Sequence, residues 1–370
     1  METNKVKQIH DFGQSIWLDF IDRKIIFSGE LKKLIEEDGV RGVTSNPAIF
    51  EKAISSSADY DEDIARLSKD GFTTEEVFFK MAVSDIKLAC DVLAPVYNEE
   101  DVVGADGYVS LEVSPFLARD TEATIQQARE LWQQVDKENV MIKIPGTEAG
   151  LSAIETAISE GININVTLLF SLERYEAVVE AYISGLEKRA EQGLPVDRVA
   201  SVASFFLSRI DILVDPVLDK NGLGDLRGQV AIASAKMAYQ IYKRTFSTDR
   251  WKKLAEKGAV PQRLLWASTS SKDPAFKDTR YVEALIGPNT VNTIPLQTLE
   301  AFCDHGDAAS SLEKDLDGAT EILEKIKTVG VDMDAVATQL ENEGIDKFTE
   351  PFQKLLDAID TQKKQSGTNF

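Results

Sequence analysis

Eight short runs rich in apolar and β-branched residues alternate with helical stretches over about 300 residues of this chain. The runs cover residues 15–21, 42–45, 107–113, 140–145, 163–170, 199–206, 264–268 and 290–294. Strands that alternate with helices indicate parallel βα units, and eight such units predict a closed (β/α)8 TIM barrel, an α/β fold, with extra helices. An open, doubly wound sheet is the alternative that the same pattern leaves open.

The segment after residue 303 has a different character. It shows no strand pattern and consists of charge-rich helical stretches. Phe348, Phe352, Leu355, Leu356 and Ile359 form one apolar stripe at helical spacing. We therefore predict a catalytic barrel over residues 1–303 and a helical C-terminal tail over 304–370, which packs on the barrel and is not a second catalytic domain.

Three helix starts carry capping signals. Thr147 follows a Pro-Gly pair and is predicted to cap the helix over 147–160. Thr73 and Glu76 have the spacing of a capping box. Ser28 is predicted to cap a helix over 29–37.

The charge of the chain limits its partners. The 370 residues include 41 Lys and Arg against 62 Asp and Glu, for a formal net charge of −21. Such an acidic protein is not expected to bind nucleic acid or an anionic membrane surface. A small anionic substrate remains possible if it meets a locally positive pocket.

The cysteine count and the hydropathy pattern bear on location. Cys90 and Cys303 are too few for a disulfide framework or a zinc site, and they fit a reducing cytoplasm. Residues 1–14 are polar and do not resemble a signal peptide. No run approaches the roughly 18 apolar residues that suggest a membrane span. We therefore expect a cytoplasmic protein.

Lys143 interrupts the apolar run Val140-Met141-Ile142-Lys143-Ile144. Burial disfavours the charged ammonium, and the neutral amine is a nucleophile that forms Schiff bases with carbonyl groups. A lysine on an edge strand that extends its amine into water is the alternative. This run alone does not decide between them.

Polar side chains occur at the ends of the predicted strands, where barrel enzymes place their chemistry. They are Asp19, Asn46, Glu112, Lys143, Asn165, Thr167, Ser204, Ser268 and Asn292. Each one alone has a structural explanation, such as a turn residue or a satisfied core hydroxyl. Together a lysine, two acids and several amides or hydroxyls at one barrel mouth suit carbonyl chemistry through a Schiff base.

Two cations follow later strands. Arg209 stands at the start of a helix after the sixth strand, and Lys272 follows the seventh. A cation beside a helix N-terminus is typical of a phosphate site. The alternative for Arg209 is an ion pair with Asp211 or Asp215 on a solvated helix surface.

Several other patterns carry no function. Gly222, Gly224 and Gly228 lack the spacing of a dinucleotide fingerprint. Residues 315–318 lack the spacing of a calcium-binding EF-hand. His10 and His305, the two histidines, lie outside the predicted strands, so neither a histidine triad nor a histidine metal site is expected.

Three stretches resemble the signature sequences of transaldolases. They are Gly42-Val43-Thr44-Ser45-Asn46-Pro47, Val140-Met141-Ile142-Lys143-Ile144-Pro145 and Asn163-Ile164-Asn165-Val166-Thr167. The likeness spans about residues 15–300 and is greatest to the longer bacterial and plant forms. It implies a class I aldolase-type barrel without metal or organic cofactor. The implied reaction moves a dihydroxyacetone unit from sedoheptulose 7-phosphate to glyceraldehyde 3-phosphate, in the non-oxidative pentose phosphate pathway.

The resemblance also implies catalytic roles. Lys143 matches the Schiff-base lysine, and Asp19 matches the acid that takes the hydroxyl proton during carbon–carbon cleavage. Glu112 and Thr167 match the pair that holds the catalytic water.

The implied substrate-binding residues form a second group. Asn46 and Asn165 match residues that bind the dihydroxyacetone moiety. Ser204 and Arg209 match the phosphate-binding residues, and Phe206 matches an aromatic of the pocket. Lys272 stands slightly later than the arginine of the shorter transaldolases, and we assign it as the second phosphate cation.

Two rival functions remain at this point. A fructose-6-phosphate aldolase would release the dihydroxyacetone by protonating the enamine, and a non-catalytic barrel would only bind sugar phosphates. The sequence leaves the oligomeric state open between monomer and homodimer.

Overall fold

The computed structural model describes residues 4–99 and 104–367. Within these ranges eight parallel strands pair in sequence order, and the eighth pairs with the first to close a barrel. The closure confirms the predicted (β/α)8 barrel and excludes the open sheet. The strands are β1 Gln14–Asp19, β2 Gly42–Thr44, β3 Tyr108–Glu112, β4 Val140–Pro145, β5 Ile164–Leu169, β6 Ser201–Phe206, β7 Arg263–Ala267 and β8 Thr290–Ile294.

Helices surround the barrel, as expected when a parallel sheet must bury both of its faces. Among the described residues they are α1 Lys5–His10, α2 Arg23–Phe27, α3 Glu30–Asp38, α4 Pro47–Ser55, α5 Asp61–Lys69, α6 Thr74–Tyr97, α7 Thr121–Val135, α8 Glu148–Glu160, α9 Leu172–Glu191, α10 Ser208–Lys220, α11 Val230–Thr245, α12 Asp249–Ala255, α13 Arg280–Glu283, α14 Leu296–His305, α15 Leu316–Lys327 and α16 Met333–Gly367. None of them is both long enough and apolar enough to cross a bilayer.

Two of the three predicted caps are confirmed. Thr147 Oγ1 accepts from the Gly150 amide at the start of α8. Thr73 and Glu76 form a complete capping box at α6. The prediction for Ser28 was wrong in position, because that residue ends α2 and Gly29 takes the N-cap position of α3, but Ser28 Oγ does accept from the Glu30 amide at 3.3 Å. The chain turns between two helices at a φ of +80°, a conformation that glycine adopts without steric cost.

The long C-terminal helix α16 packs against α4, α5, α6 and α10 and reaches β5. Its predicted apolar stripe is turned inward, because Phe348, Phe352, Leu355 and Ile359 are buried and Leu356 packs at the edge of the core. The helix therefore covers part of the barrel end from which the β5–α9 and β6–α10 connections emerge. The division of the chain at residue 303 stays a prediction.

Candidate active site

A cavity of about 180 Å³ opens at the carboxyl ends of the strands. Its lining includes nine of the ten predicted site residues, Asp19, Asn46, Lys143, Asn165, Thr167, Ser204, Phe206, Arg209 and Lys272. The tenth, Glu112, contacts Lys143. Side chains that are up to 253 residues apart in sequence therefore meet at one barrel mouth (272 minus 19).

Lys143 lies on β4 in register with Glu112 of β3 and Asn165 of β5, so the three side chains share one level of the barrel. Its Nζ lies 3.3 Å from Glu112 Oε2 and donates to the Ser45 carbonyl oxygen at 2.7 Å. The residue is only 5% exposed, which excludes an amine extended into water. Its neighbours along the chain are apolar, but its neighbours across the strands are polar.

Glu112 shares its two oxygens between different partners. Oε2 faces the amine, and Oε1 accepts from Thr167 Oγ1 at 3.4 Å. Burial raises the pKa of Glu112, and the nearby Lys143 opposes that rise. A carboxyl with a raised pKa beside an amine can take up and return a proton, which suits the predicted acid–base role.

Asp19 stands at the carboxyl end of β1 and accepts from Thr44 Oγ1 at 2.7 Å. Thr44 Oγ1 in turn lies 2.6 Å from Thr293 Oγ1 on β8. Burial raises the pKa of Asp19, whereas Lys143, the Thr44 hydroxyl and Arg209 lower it. This half-buried carboxylate on the cavity wall suits the predicted role of proton acceptor.

The amide and hydroxyl residues are linked to one another. Asn165 Nδ2 donates to Ser110 Oγ at 3.1 Å, and its Oδ1 accepts from Ser204 Oγ at 2.7 Å. The residues assigned to dihydroxyacetone and to phosphate therefore belong to one buried chain of hydrogen bonds. Asn46 Oδ1 accepts from the Ile49 amide and caps α4, so its amide nitrogen is the group left to donate to a ligand.

The alternative pairing of Arg209 with Asp211 or Asp215 was wrong. Asp211 accepts from the Ala231 amide and the Tyr281 hydroxyl, and Asp215 accepts from the Gly228 amide. Both acids hold the helices after β6 together, away from the cavity.

Arg209 itself is held between two aromatic rings. Its guanidinium carbon lies 5.3 Å from the ring centre of Phe206 and 5.8 Å from that of Phe348. Its Nη1 is buried and has no hydrogen-bond partner among the described residues. Burial lowers the pKa of this guanidinium. A buried N–H donor without a partner is costly, and an anion in the cavity would satisfy it.

Lys272 lies at the exposed rim of the cavity, where its Nζ donates to Ser270 Oγ at 2.7 Å. Ser268, also predicted at the mouth, lines the cavity with a φ of +56°. Its Oγ lies 2.9 Å from Ser208 Oγ at the start of α10. A left-handed serine at a strand end is a strained conformation of the kind found at functional sites.

Asn292 was the one strand-end residue assigned to the wrong face. Thr293, the next residue on β8, lines the cavity, so strand alternation turns Asn292 to the outside of the barrel. Sequence reasoning missed two hydroxyl residues, Thr44, which donates to Asp19, and Ser110, which accepts from Asn165. Both lie on strands, and the alternation of side chains along a strand identifies them once the register is known. Phe348 had been identified only as part of an apolar stripe, and the sequence offers no signal that it reaches the site.

The whole chain has counterparts among known proteins. A family model described as transaldolase/fructose-6-phosphate aldolase matches residues 16–359. The chain is 49% identical to "Transaldolase 2" of Nostoc sp. (strain PCC 7120) over 98% of its length and 99% of the relative's. It is also 49% identical to the transaldolase of Trichodesmium erythraeum over 99% of both chains, and 45% identical to that of Saccharopolyspora erythraea over 99% and 100%. By a match of this length and identity, the chain belongs to the transaldolase/fructose-6-phosphate aldolase family.

Proposed function

We propose that this chain is a transaldolase. It transfers a dihydroxyacetone unit from sedoheptulose 7-phosphate to glyceraldehyde 3-phosphate, giving erythrose 4-phosphate and fructose 6-phosphate. The observation that carries the proposal is the buried Lys143 amine, 3.3 Å from Glu112 in a cavity that Asp19 also lines. The family and its full-length relatives support the same reaction.

The first stage forms the Schiff base. Lys143 transfers a proton toward Glu112, and the neutral amine attacks the C2 carbonyl of the ketose to give a carbinolamine. Glu112, held by Thr167, returns the proton to the carbinolamine hydroxyl, which leaves as water. The resulting iminium is positively charged and can accept the electron pair of the bond to be broken.

The second stage cleaves and remakes a carbon–carbon bond. Asp19 takes the proton of the C4 hydroxyl, the C3–C4 bond breaks, and its electron pair moves to the iminium to form an enamine. The aldose phosphate leaves, and the enamine stays bound to Lys143. When an acceptor aldehyde arrives, the enamine carbon attacks it, Asp19 returns the proton to the new hydroxyl, and hydrolysis of the iminium releases the product.

The phosphate end of the substrate is assigned to Ser204, Arg209 and Lys272. The unpartnered Nη1 of Arg209 supports this assignment, because it needs an acceptor that the described residues do not provide. The Asn46 amide nitrogen and the Asn165 side chain are assigned to the hydroxyls of the dihydroxyacetone unit. Lys272, at the rim, approaches the phosphate from the solvent side.

The proposal is tested by trapping the intermediate. Borohydride with fructose 6-phosphate should reduce the Schiff base and fix the sugar on Lys143, which peptide mapping would locate. Kinetics with and without an acceptor aldehyde then separate the two reactions of the family. Turnover that requires the acceptor supports a transaldolase, turnover without it supports the aldolase, and no adduct supports a barrel that only binds sugar phosphates.

We also propose that the enzyme acts in the cytoplasm. Both cysteines are free, Cys90 in the core and Cys303 partly exposed, as a reducing compartment allows. Sedimentation measurements would decide between the monomer and the homodimer.

A further inference from the structure

The C-terminal helix α16 reaches the phosphate end of the cavity from outside the barrel. Phe348, on this helix, is buried and lines the cavity beside the residues that the strands contribute. One turn later Phe352 packs against two other rings. The distance from its ring centre is 5.3 Å to that of Phe78 on α6 and 5.3 Å to that of Phe116, which follows β3. The helix also packs on α4, α5 and α10, so its position depends on several contacts and not on the ring of Phe352 alone.

The helix approaches the cavity closely at Gly344. A Cβ atom at this position would lie 2.8 Å from Leu168 Cδ2 and 3.6 Å from Arg209 Nη1. Leu168 directly follows Thr167, in an irregular stretch of β5, and has a φ of +59°. The absence of a side chain at Gly344 thus lets α16 pack directly against the guanidinium and against the distorted end of β5.

The contacts from α16 hold Arg209 without neutralising it. The ring of Phe348 lies on the guanidinium, and an aromatic ring attracts a cation without accepting its charge. The acid of this helix whose charge acts on Arg209 is Glu343, but its carboxylate makes no ion pair with Arg209 among the described residues and accepts from Gln339 at 2.8 Å and from Lys347 at 3.2 Å. An ion pair would have occupied the donor that a phosphate needs, whereas the ring leaves that donor free.

We propose that Phe348 is a positioning residue that holds Arg209 in the cavity and so sets the preference for phosphorylated over unphosphorylated aldehydes. The inference rests on the proposed function, in which Arg209 binds the substrate phosphate. Phe206 contacts the same guanidinium from β6, so the barrel and the C-terminal helix each supply one ring. The helical tail is in this way a part of the substrate site.

The test compares Phe348→Leu with Phe352→Leu, a matched control that removes a buried ring from the same helix. For each protein kcat/KM is measured with glyceraldehyde 3-phosphate and with glyceraldehyde as acceptor. Phe348→Leu should lower the ratio of the glyceraldehyde 3-phosphate value to the glyceraldehyde value by about 5- to 30-fold, mainly by raising KM for the phosphorylated aldehyde. This is the loss of binding expected when a desolvated cation–ring contact is removed. Phe352→Leu should lower thermal stability and leave the ratio unchanged.

An unchanged ratio in Phe348→Leu, or the same change in both variants, would overturn the inference. The borohydride trap separates this failure from a failure of the proposed function. If Phe348→Leu still forms the adduct on Lys143 and keeps its ratio, the specificity inference alone falls. If the wild-type protein forms no adduct, the proposed function falls first.

Discussion

The two ends of the barrel both carry charged side chains, but these side chains pair with one another at the amino end and are only partly paired at the carboxyl end. At the amino ends of the strands a cavity of about 630 Å³ is lined by Arg41, Asp106 and Arg263 among others. Asp106 accepts from Ser15 Oγ at 2.6 Å and from Trp17 Nε1 at 3.0 Å, and it also pairs with both arginines. At the carboxyl ends the cavity is smaller, yet none of the residues that the structure describes provides an acceptor for Arg209 Nη1.

The difference lies in whether the charges are satisfied. Arg263 donates to Ser15 Oγ, to the Thr290 carbonyl and to Asp106, so the charged groups at the amino end pair with one another and stabilise the barrel. The carboxyl end keeps the buried Lys143 amine, two acids with raised pKa values and a donor without a partner among the described residues, and the proposed function assigns this arrangement to a substrate. Cavity volume alone would have pointed to the wrong end of the molecule.

The largest effect is expected at Lys143. Replacement by Ala removes the nucleophile, so transfer activity should fall to the background level. The fold should survive, because the vacated site faces a polar cavity and Glu112 can become protonated. Activity and thermal unfolding should be measured beside Lys137→Ala, which removes an exposed lysine paired with Asp91. A large loss of thermal stability in the Lys143 variant alone would mean that this residue is structural.

Asp19→Asn should separate the two stages of the reaction. The amide can still accept from Thr44 but cannot take the hydroxyl proton, so the transfer rate should fall by about 10²- to 10⁴-fold. Schiff-base formation does not use Asp19, so borohydride should still trap fructose 6-phosphate on Lys143. Loss of the adduct together with the rate would mean that Asp19 acts before carbon–carbon cleavage.

Asp106→Ala tests the amino end. Removing Asp106 leaves the largely buried Arg263 without a carboxylate partner and the buried Trp17 Nε1 without its acceptor, and the free energy of unfolding should fall by about 3–5 kcal/mol. The folded fraction should keep its kcat, because Asp106 is remote from the cavity that holds Lys143. Asp91→Ala is the matched control, since an exposed ion pair contributes little to stability. A fall in kcat without a fall in stability would reverse the assignment of the two ends.

Asp211 provides the smallest and most specific test, because it lies two residues from Arg209 yet belongs to a satisfied network. Burial raises its pKa to about 6, against the opposing hydrogen bonds from Ala231 and Tyr281. The folded protein then binds this proton more tightly than the unfolded chain does. The stability that protonated Asp211 contributes is fully present below about pH 4 and is lost as the pH rises to about 6. Over this range its loss lowers the free energy of unfolding by about 3 kcal/mol.

Asp211→Asn removes this titration and keeps the geometry. Urea unfolding of both proteins between pH 4 and 7 should show the variant gaining stability relative to the wild type as the pH rises. Other titrating groups cancel in the difference between the two curves. Parallel curves would mean that Asp211 has an ordinary pKa in the folded protein.

Much of the site could be predicted because the signals were local. A lysine inside an apolar run, and acids or amides at strand ends, indicate candidate site positions of a barrel, and this indication does not depend on the conformation of the loops. Asn292 was misplaced because a shift of one residue reverses the face of a strand, and periodicity does not fix that register. The direct contacts of Lys143 could not be predicted either, since Glu112 and Asn165 become its neighbours only when β3, β4 and β5 pair.

The sequence by itself determined the alternating elements, favoured the closed barrel over the open sheet, and supplied the strand-end residues from which the proposed catalytic group is drawn, because these follow from apolar periodicity and from the side-chain chemistry at each strand end. Only the tertiary structure decided which charges are satisfied and which are left for a substrate. That choice depends on distances between residues far apart in the chain, as where α16 brings Phe348 to Arg209. No local pattern records such a contact, because it joins two residues that are far apart in the sequence and lie on different elements of the fold.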